Sequence, residues 1–237
     1  KIFLILFNKE KNSKLDLSKK IINKLITNIK SLKNKEFNSF EDAEKYCQSK
    51  NKNCYENDEF CKYRFAKLEN FLLNNKNLTN ISSSPNILFY IILLFQIRNP
   101  GKIPKIIDFG GACGENIILL STIFGEDIFK SSWVIESPTH SETSNFFKFS
   151  KKIQYSSNLN ELLNKESIDI FYTSCALHYL KRPYFPLELV ANKKVPLICL
   201  TRNNFSIKSK YYAQVSKMSS SGVGEHLQNY KDKEIWL

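Results

Sequence analysis

The sequence predicts a doubly wound, mostly parallel α/β domain preceded by a helical region, and three observations carry that prediction. From Pro104 onward, short apolar runs alternate with helical stretches, the grammar of successive βα units. The first of those runs ends in an acidic residue and a glycine-rich turn. Before Pro100, apolar residues recur at three- and four-residue steps instead. A helical extension is therefore expected over 1–99 and the sheet domain over 100–237.

Taken in order, Lys1–Phe7 is too short for the apolar part of a typical signal peptide and has no small-residue cleavage site after it. It reads equally well as a core segment of a chain lacking its initiator Met. Leu15, Ile22, Leu25, Ile26, Ile29 and Leu32 mark one helix. Ser39-Phe-Glu-Asp42 resembles an N-cap with an acidic first turn, opening a short helix through Tyr46. Phe60, Tyr63, Leu68, Phe71 and Leu72 mark another helix, and Asn74–Pro85 reads as a loop. Ile87–Ile97 is the most apolar stretch; it falls well short of the roughly 20 residues that span a bilayer and is expected to be a buried helix. The expected strands are Lys105–Phe109, Trp133–Glu136, Lys152–Tyr155, Ile168–Thr173 and Pro196–Thr201. Glu115–Phe124, Thr139–Phe149 and Leu159–Lys165 serve as the helices between them.

Composition narrows the class. The 237 residues suffice for a large core, and 42% hydrophobic residues with only 7 Gly and 7 Pro exclude a disordered or collagen-like chain. A net charge of +12 raises the question of an anionic partner, but Arg64, Arg98, Arg182 and Arg202 are the only arginines. The lysine excess is spread over the whole chain. A solvated lysine-rich surface is the expectation, with a nucleic-acid face as its alternative. The six cysteines, at 47, 54, 61, 113, 175 and 199, contain no C-x-x-C pair and no His at metal-ligand spacing. Free thiols in the cytoplasm, and no metal, are expected. The polar run Gln48–Asn53 argues against one helix carrying Cys47, Cys54 and Cys61 together.

Chemistry is expected where a doubly wound sheet binds ligands, beyond the carboxyl ends of its strands. Ile106-Ile-Asp-Phe-Gly-Gly-Ala-Cys-Gly-Glu115 supplies strand, acid, glycine-rich turn and helix in that order. Trp133-Val-Ile-Glu136 is the next strand, and its terminal acid, 28 positions beyond Asp108, can accept both hydrogen bonds of a ribose diol. Gly110, Gly111 and Gly114 do not supply the G-x-G-x-x-G of dinucleotide binders, because the third position is Ala112. An acid at 108 would also repel a pyrophosphate. It suits the cationic amino group of a methionine moiety.

On these residues the sequence resembles the class I S-adenosylmethionine (SAM)-dependent methyltransferases, which have a Rossmann-like fold. Asp108-Phe-Gly-Gly-Ala-Cys-Gly114 is similar to their first motif, departing from it at Ala112, and Asp169–Leu180 is similar to the motif of their fourth strand. A narrower resemblance, to bacterial methyltransferases found with surface-polysaccharide biosynthesis enzymes, rests on Phe40–Ala43, Asp108–Gly111, Trp133–Glu136, Ser174–Leu180 and Leu200–Asn203. The resemblance implies SAM held by Asp108, Gly110, Gly111 and Gly114, its ribose by Glu136, and its adenine near Ser157, Asn158 and Ser174. It also implies a final hairpin, for which only Tyr211–Val215 and Glu234–Leu237 are available, so that the last strand is expected to be incomplete.

The acceptor is expected to be a small molecule or saccharide, methylated at a hydroxyl, with the oligomeric state open. Thr173-Ser-Cys-Ala176 stands where nucleobase amino methyltransferases carry Asn/Asp-Pro-Pro-aromatic. Cys175 is expected to be a small packing residue. His178 is either a packing histidine or the base that takes a hydroxyl proton. Arg202 either fixes a strand end or holds an anionic acceptor such as a uronic acid or nucleotide-sugar diphosphate. Glu225 and His226, in Ser221–Leu227, are polar contacts of a closing loop or plain loop residues. His140 is expected at the surface or near the adenosine. An RNA-associated methyltransferase-like protein and an idle scaffold with a degraded turn at Ala112 are the competing readings.

Overall fold

A computed structural model of the chain describes residues 35–50, 58–74, 87–147, 149–203, 211–217 and 231–236. Lys1–Phe7, Leu15–Leu32, Cys54, Asn75–Pro85, Glu225 and His226 lie outside the described residues.

Strand β1 (Lys35–Phe37) leads into helix α1 (Phe40–Lys50). Ser39 caps it as expected: its Oγ accepts from the Asp42 N–H at 3.1 Å. Helix α1 runs past Tyr46 to Lys50, and α2 (Asp58–Asn74) starts anew, so Cys47 and Cys61 sit on separate helices. Helix α3 (Ile87–Arg98) is followed by β2 (Lys105–Phe109) and α4 (Glu115–Phe124), both with the expected bounds. Next come β3 (Ser131–Ile135), α5 (Pro138–Thr143), β4 (Ile153–Ser156), α6 (Leu159–Lys165) and β5 (Ile170–Ser174). Helix α7 (Phe185–Asn192), β6 (Leu197–Thr201), β7 (Tyr211–Lys217) and β8 (Lys231–Trp236) complete the order.

Five strands form a parallel sheet in the order β4-β3-β2-β5-β6. The chain winds outward from β2 to β4, then crosses back to β5 on the other side of β2. The switch point of this Rossmann-like α/β fold therefore lies between the carboxyl ends of β2 and β5. Both faces of the central strands β2 and β5 are buried, as a parallel sheet requires, while the edge strand β6 is partly exposed. Ile106 and Tyr172 face a core built with Phe65 and Leu68 of α2, Leu88 and Ile92 of α3 and Ile117 of α4. Ile107 and Phe171 face the opposite core, built with Leu159, Leu162 and Leu163 of α6 and Val190 of α7. The first core runs across residues 99 and 100, so the helical extension packs directly onto the sheet.

Four expectations are corrected. Helix α3 is only half buried: Leu88, Ile92 and Phe95 face the core while Tyr90, Leu94 and Ile97 are exposed, Ile97 by 67%. It forms an outer layer, and an outer layer has an outward face. The helix expected over Thr139–Phe149 ends at Thr143 and tightens into a 3₁₀ turn over Ser144–Phe146. There the Ser144 Oγ donates to the Ser141 carbonyl at 2.6 Å in competition with the helical ladder, and Phe147 turns extended to stack on Phe65 with ring centroids 5.2 Å apart. Helix α7 was absent from the sequence expectation; Pro186 in its first turn has no N–H to leave unpaired. Finally, β7 and β8 do form an antiparallel hairpin, with Tyr212 opposite Trp236 and Lys217 opposite Lys231, but β7 pairs with β1 in a separate three-stranded sheet.

Candidate active site

The glycine-rich turn after β2 is shaped by close approaches. Gly110, at φ 69°, donates its N–H to the Ile135 carbonyl at 2.8 Å and ties the turn to β3; a Cβ on it would collide with Ala176. Gly111 lies directly over Asp108, where a Cβ would stand 2.6 Å from the carboxyl carbon and 2.7 Å from Oδ2. The turn ends at Gly114, which caps α4 and whose carbonyl accepts from Ile118 N at 2.9 Å. Ala112 keeps the left-handed conformation the turn needs, at φ 52°, despite its Cβ. The departure from the glycine pattern thus leaves the backbone path intact.

Asp108 is 1% exposed, and its Oδ2 has no hydrogen-bond partner. Burial, with Glu115 and Glu136 nearby, pushes this carboxyl up to about 8, against a lowering hydrogen bond from Asn116. Glu136 stands just beyond β3, half buried, and two backbone groups aim it: Ala112 N–H donates to Oε1 and Ser137 N–H to Oε2, each at 2.9 Å. Asp108 and Glu136, expected as parts of one cofactor site, therefore stand at one turn, with Ala112 bonded to Glu136. On its far side Tyr155 of β4 donates its hydroxyl to the Cys113 carbonyl at 2.9 Å.

Helix α2 reaches the same turn. Arg64 Nη2 lies 2.8 Å from Glu115 Oε1, and Glu115 Oε2 accepts from Cys113 N at 3.2 Å. One turn earlier on the helix, Cys61 Sγ lies 3.4 Å from Nδ1 of His140, which also lies 3.0 Å from Ser137 Oγ. His140 is fully buried rather than at the surface, and burial lowers its pKa. Burial likewise pushes the Cys61 thiol up to about 11, making it a packing group and no nucleophile.

The second cluster spans the ends of β5 and β6. Arg202, exposed and at φ 52°, donates from Nε to Ser174 Oγ at 3.1 Å. Cys175, at φ 59°, donates its N–H to the Thr201 carbonyl at 3.0 Å. Asn203 locks both ends: its Oδ1 accepts from Ala176 N and Leu177 N at 3.2 and 3.0 Å, and its Nδ2 donates to the Thr173 and Thr201 carbonyls at 3.4 and 3.0 Å. This fixes the 3₁₀ turn Leu177–Tyr179 that carries His178. The imidazole is 2% exposed, 3.7 Å from Cys175 Sγ by Nε2 and tilted at 48° to the Tyr179 ring, with β8 running against the turn. Ser157 and Asn158 are exposed at the end of β4, and the Asn158 side chain caps α6 by accepting from Glu161 N at 3.0 Å.

The topology thus brings Asp108, Glu136, Ser157, Ser174, His178 and Arg202 to the carboxyl-end rim of one sheet, on either side of the switch point. Sequence reasoning gave no site role to Arg64, Tyr155 or Asn203, the last named only within Leu200–Asn203, because their contacts run across the fold. The scarcity of arginine was the one signal that pointed toward Arg64. Among the described residues no group of three His, Cys, Asp or Glu could hold a metal ion, and no helix is long and apolar enough to cross a membrane.

No protein-family model matches the chain, and no curated protein matches it. Among solved structures, it is similar to a SAM-dependent methyltransferase from Clostridium acetobutylicum ATCC 824, at 13% identity over 71% of this chain and 80% of that one, with a TM-score of 0.42. It is also similar to the N-terminal domain of EvdMO1 with SAH bound, at 13% identity over 68% and 69% of the two chains and a TM-score of 0.37. A third similarity is to a chain from the Haloferax volcanii complex of the Trm112 methyltransferase activator, at 15% identity and a TM-score of 0.31; the match covers 42% of this chain and 44% of that one.

Proposed function

We propose that this chain is a SAM-dependent methyltransferase acting on a hydroxyl of a small-molecule or saccharide acceptor, in keeping with the resemblance to enzymes found with surface-polysaccharide biosynthesis. The observation that carries the reading is the buried, unpartnered Oδ2 of Asp108 in a turn flanked by Glu115 and Glu136. With Glu115 neutralised by Arg64, the carboxyls of Asp108 and Glu136 about one glycine turn favour a cationic ligand and oppose the pyrophosphate of a dinucleotide. SAM is such a ligand, and it supplies an electrophilic methyl group when bound.

The residues present fit it. Asp108 meets the ammonium group across Gly111, which offers no Cβ to hold it off. Glu136 is already oriented by Ala112 and Ser137 and offers its remaining lone pairs to the ribose hydroxyls. Ser157 and Ser174 flank the crevice from the ends of β4 and β5. On the acceptor side, Arg202 is exposed beside Ser174 and can hold an anionic group of the acceptor. His178, buried in the Leu177–Tyr179 turn against β8, is the base that takes the acceptor's hydroxyl proton in this reading. Glu225 and His226, outside the described residues, are kept as further acceptor contacts of this reading.

Turnover with SAM and a panel of glycoside acceptors tests the acceptor half. His178→Ala should bind SAM as the parent does and lose about 10²–10⁴-fold in rate. Parental turnover by this variant removes His178 from the reaction.

A further inference from the structure

We propose that Arg64, from the helical region before the sheet, binds the carboxylate of the cofactor's amino-acid end and so makes α2 part of the cofactor site. The inference rests on the SAM reading and adds to it the residue that recognises the anionic half of the amino acid. An α-amino acid carries an ammonium and a carboxylate on one carbon, so a site that offers only acids satisfies half of it. Among the ion pairs of the described residues, Arg64 with Glu115 is the one that reaches the glycine-rich turn. Glu115 is the electrostatic neighbour of both partners: it raises the Asp108 carboxyl and holds the Arg64 guanidinium. The buried Oδ2 of Asp108 suits a cation, and the Arg64 guanidinium, held by Glu115, stands beside the same turn.

Arg64 is also placed in advance. Its neighbour Phe65 is fully buried, stacked on Phe147 at 5.2 Å and edge-on to Tyr155 at 5.7 Å, and the Tyr155 hydroxyl is bonded to the turn. Cys61, a helical turn before, is buried against His140. Anchors on both sides of Arg64 fix where its side chain starts, which lowers the cost of presenting it to a ligand. With five N–H donors in a planar fork, the guanidinium can keep Glu115 and still engage a carboxylate.

Calorimetric titration with SAM and with decarboxylated SAM, which lacks only the carboxylate, tests this. The parent should prefer SAM by about tenfold or more, the scale of a charge-assisted pair. Arg64→Met should erase that preference by weakening SAM alone, leaving decarboxylated SAM within about twofold. Arg64→Lys, which keeps the charge and the aliphatic stem, should shrink the preference and serves as the test if Arg64→Met fails to fold. Equal binding of the two ligands by the parent, or an undiminished preference in the variants, overturns the proposal. A parent that binds neither ligand overturns the SAM reading itself, a different outcome from the other two.

Discussion

Asp108 holds a carboxyl in a place where water cannot reach it and where one oxygen has no donor. That arrangement costs free energy in the ionised form, and the group responds by holding its proton up to about pH 8. The consequence for stability has a definite sign. In the unfolded chain the carboxyl ionises near its ordinary value, so between about pH 4 and 8 the folded state binds more protons, and stability falls as pH rises through that window. Asp108→Asn removes the titration, so its advantage over the parent should grow from pH 4 to pH 8 and then level off, as read by urea denaturation of the ligand-free proteins. An advantage that does not change with pH would mean that Asp108 is already ionised and partnered. The glycine-rich turn and the acids around it were legible in the sequence because each is a matter of local spacing. The burial of Asp108 beneath Gly111 was not, because it depends on how closely the turn folds back.

At the scale of elements, the ends of β5 and β6 act as one unit through Asn203. Its four hydrogen bonds hold two residues in the left-handed region nearby, Cys175 and Arg202. Such strain persists only where surrounding bonds fix it. Asn203→Ala leaves two backbone donors and two carbonyls without that partner and should cost about 2–4 kcal/mol in a denaturant titration. A loss below about 0.5 kcal/mol would show that water replaces the side chain. The same scale explains which elements could be read in advance. The strand Lys105–Phe109 lies between Pro104 and Gly110 and the helix Glu115–Phe124 between Gly114 and Gly125, so the sequence marks both bounds of each. In α3 every residue from Ile87 to Ile97 but Gln96 is apolar, so the pattern has no polar side to announce which face looks outward. Helix α7 is eight residues long with a proline in its first turn, too short for a periodic signal.

For the whole molecule, the order β4-β3-β2-β5-β6 decides where chemistry can occur. Strand ends separated by many residues in the chain meet at one rim, and three of the four left-handed non-glycine residues among those described, Ala112, Cys175 and Arg202, fall there, after β2, β5 and β6. The alternation of strands and helices made this rim predictable, since a parallel sheet leaves few topologies open. The hairpin's union with β1 was not predictable, because it joins segments nearly the whole chain apart. The central claim is that the turn after β2 binds SAM with Glu136 on its ribose. Calorimetric titration of the parent and of Glu136→Ala with SAM, with far-UV circular dichroism to verify folding, tests that claim most directly. One site per chain is predicted, weakened by about 1–3 kcal/mol in a folded variant, the cost of losing charge-assisted bonds to two hydroxyls. Absence of SAM binding by the parent, or equal affinity in the folded variant, would contradict it.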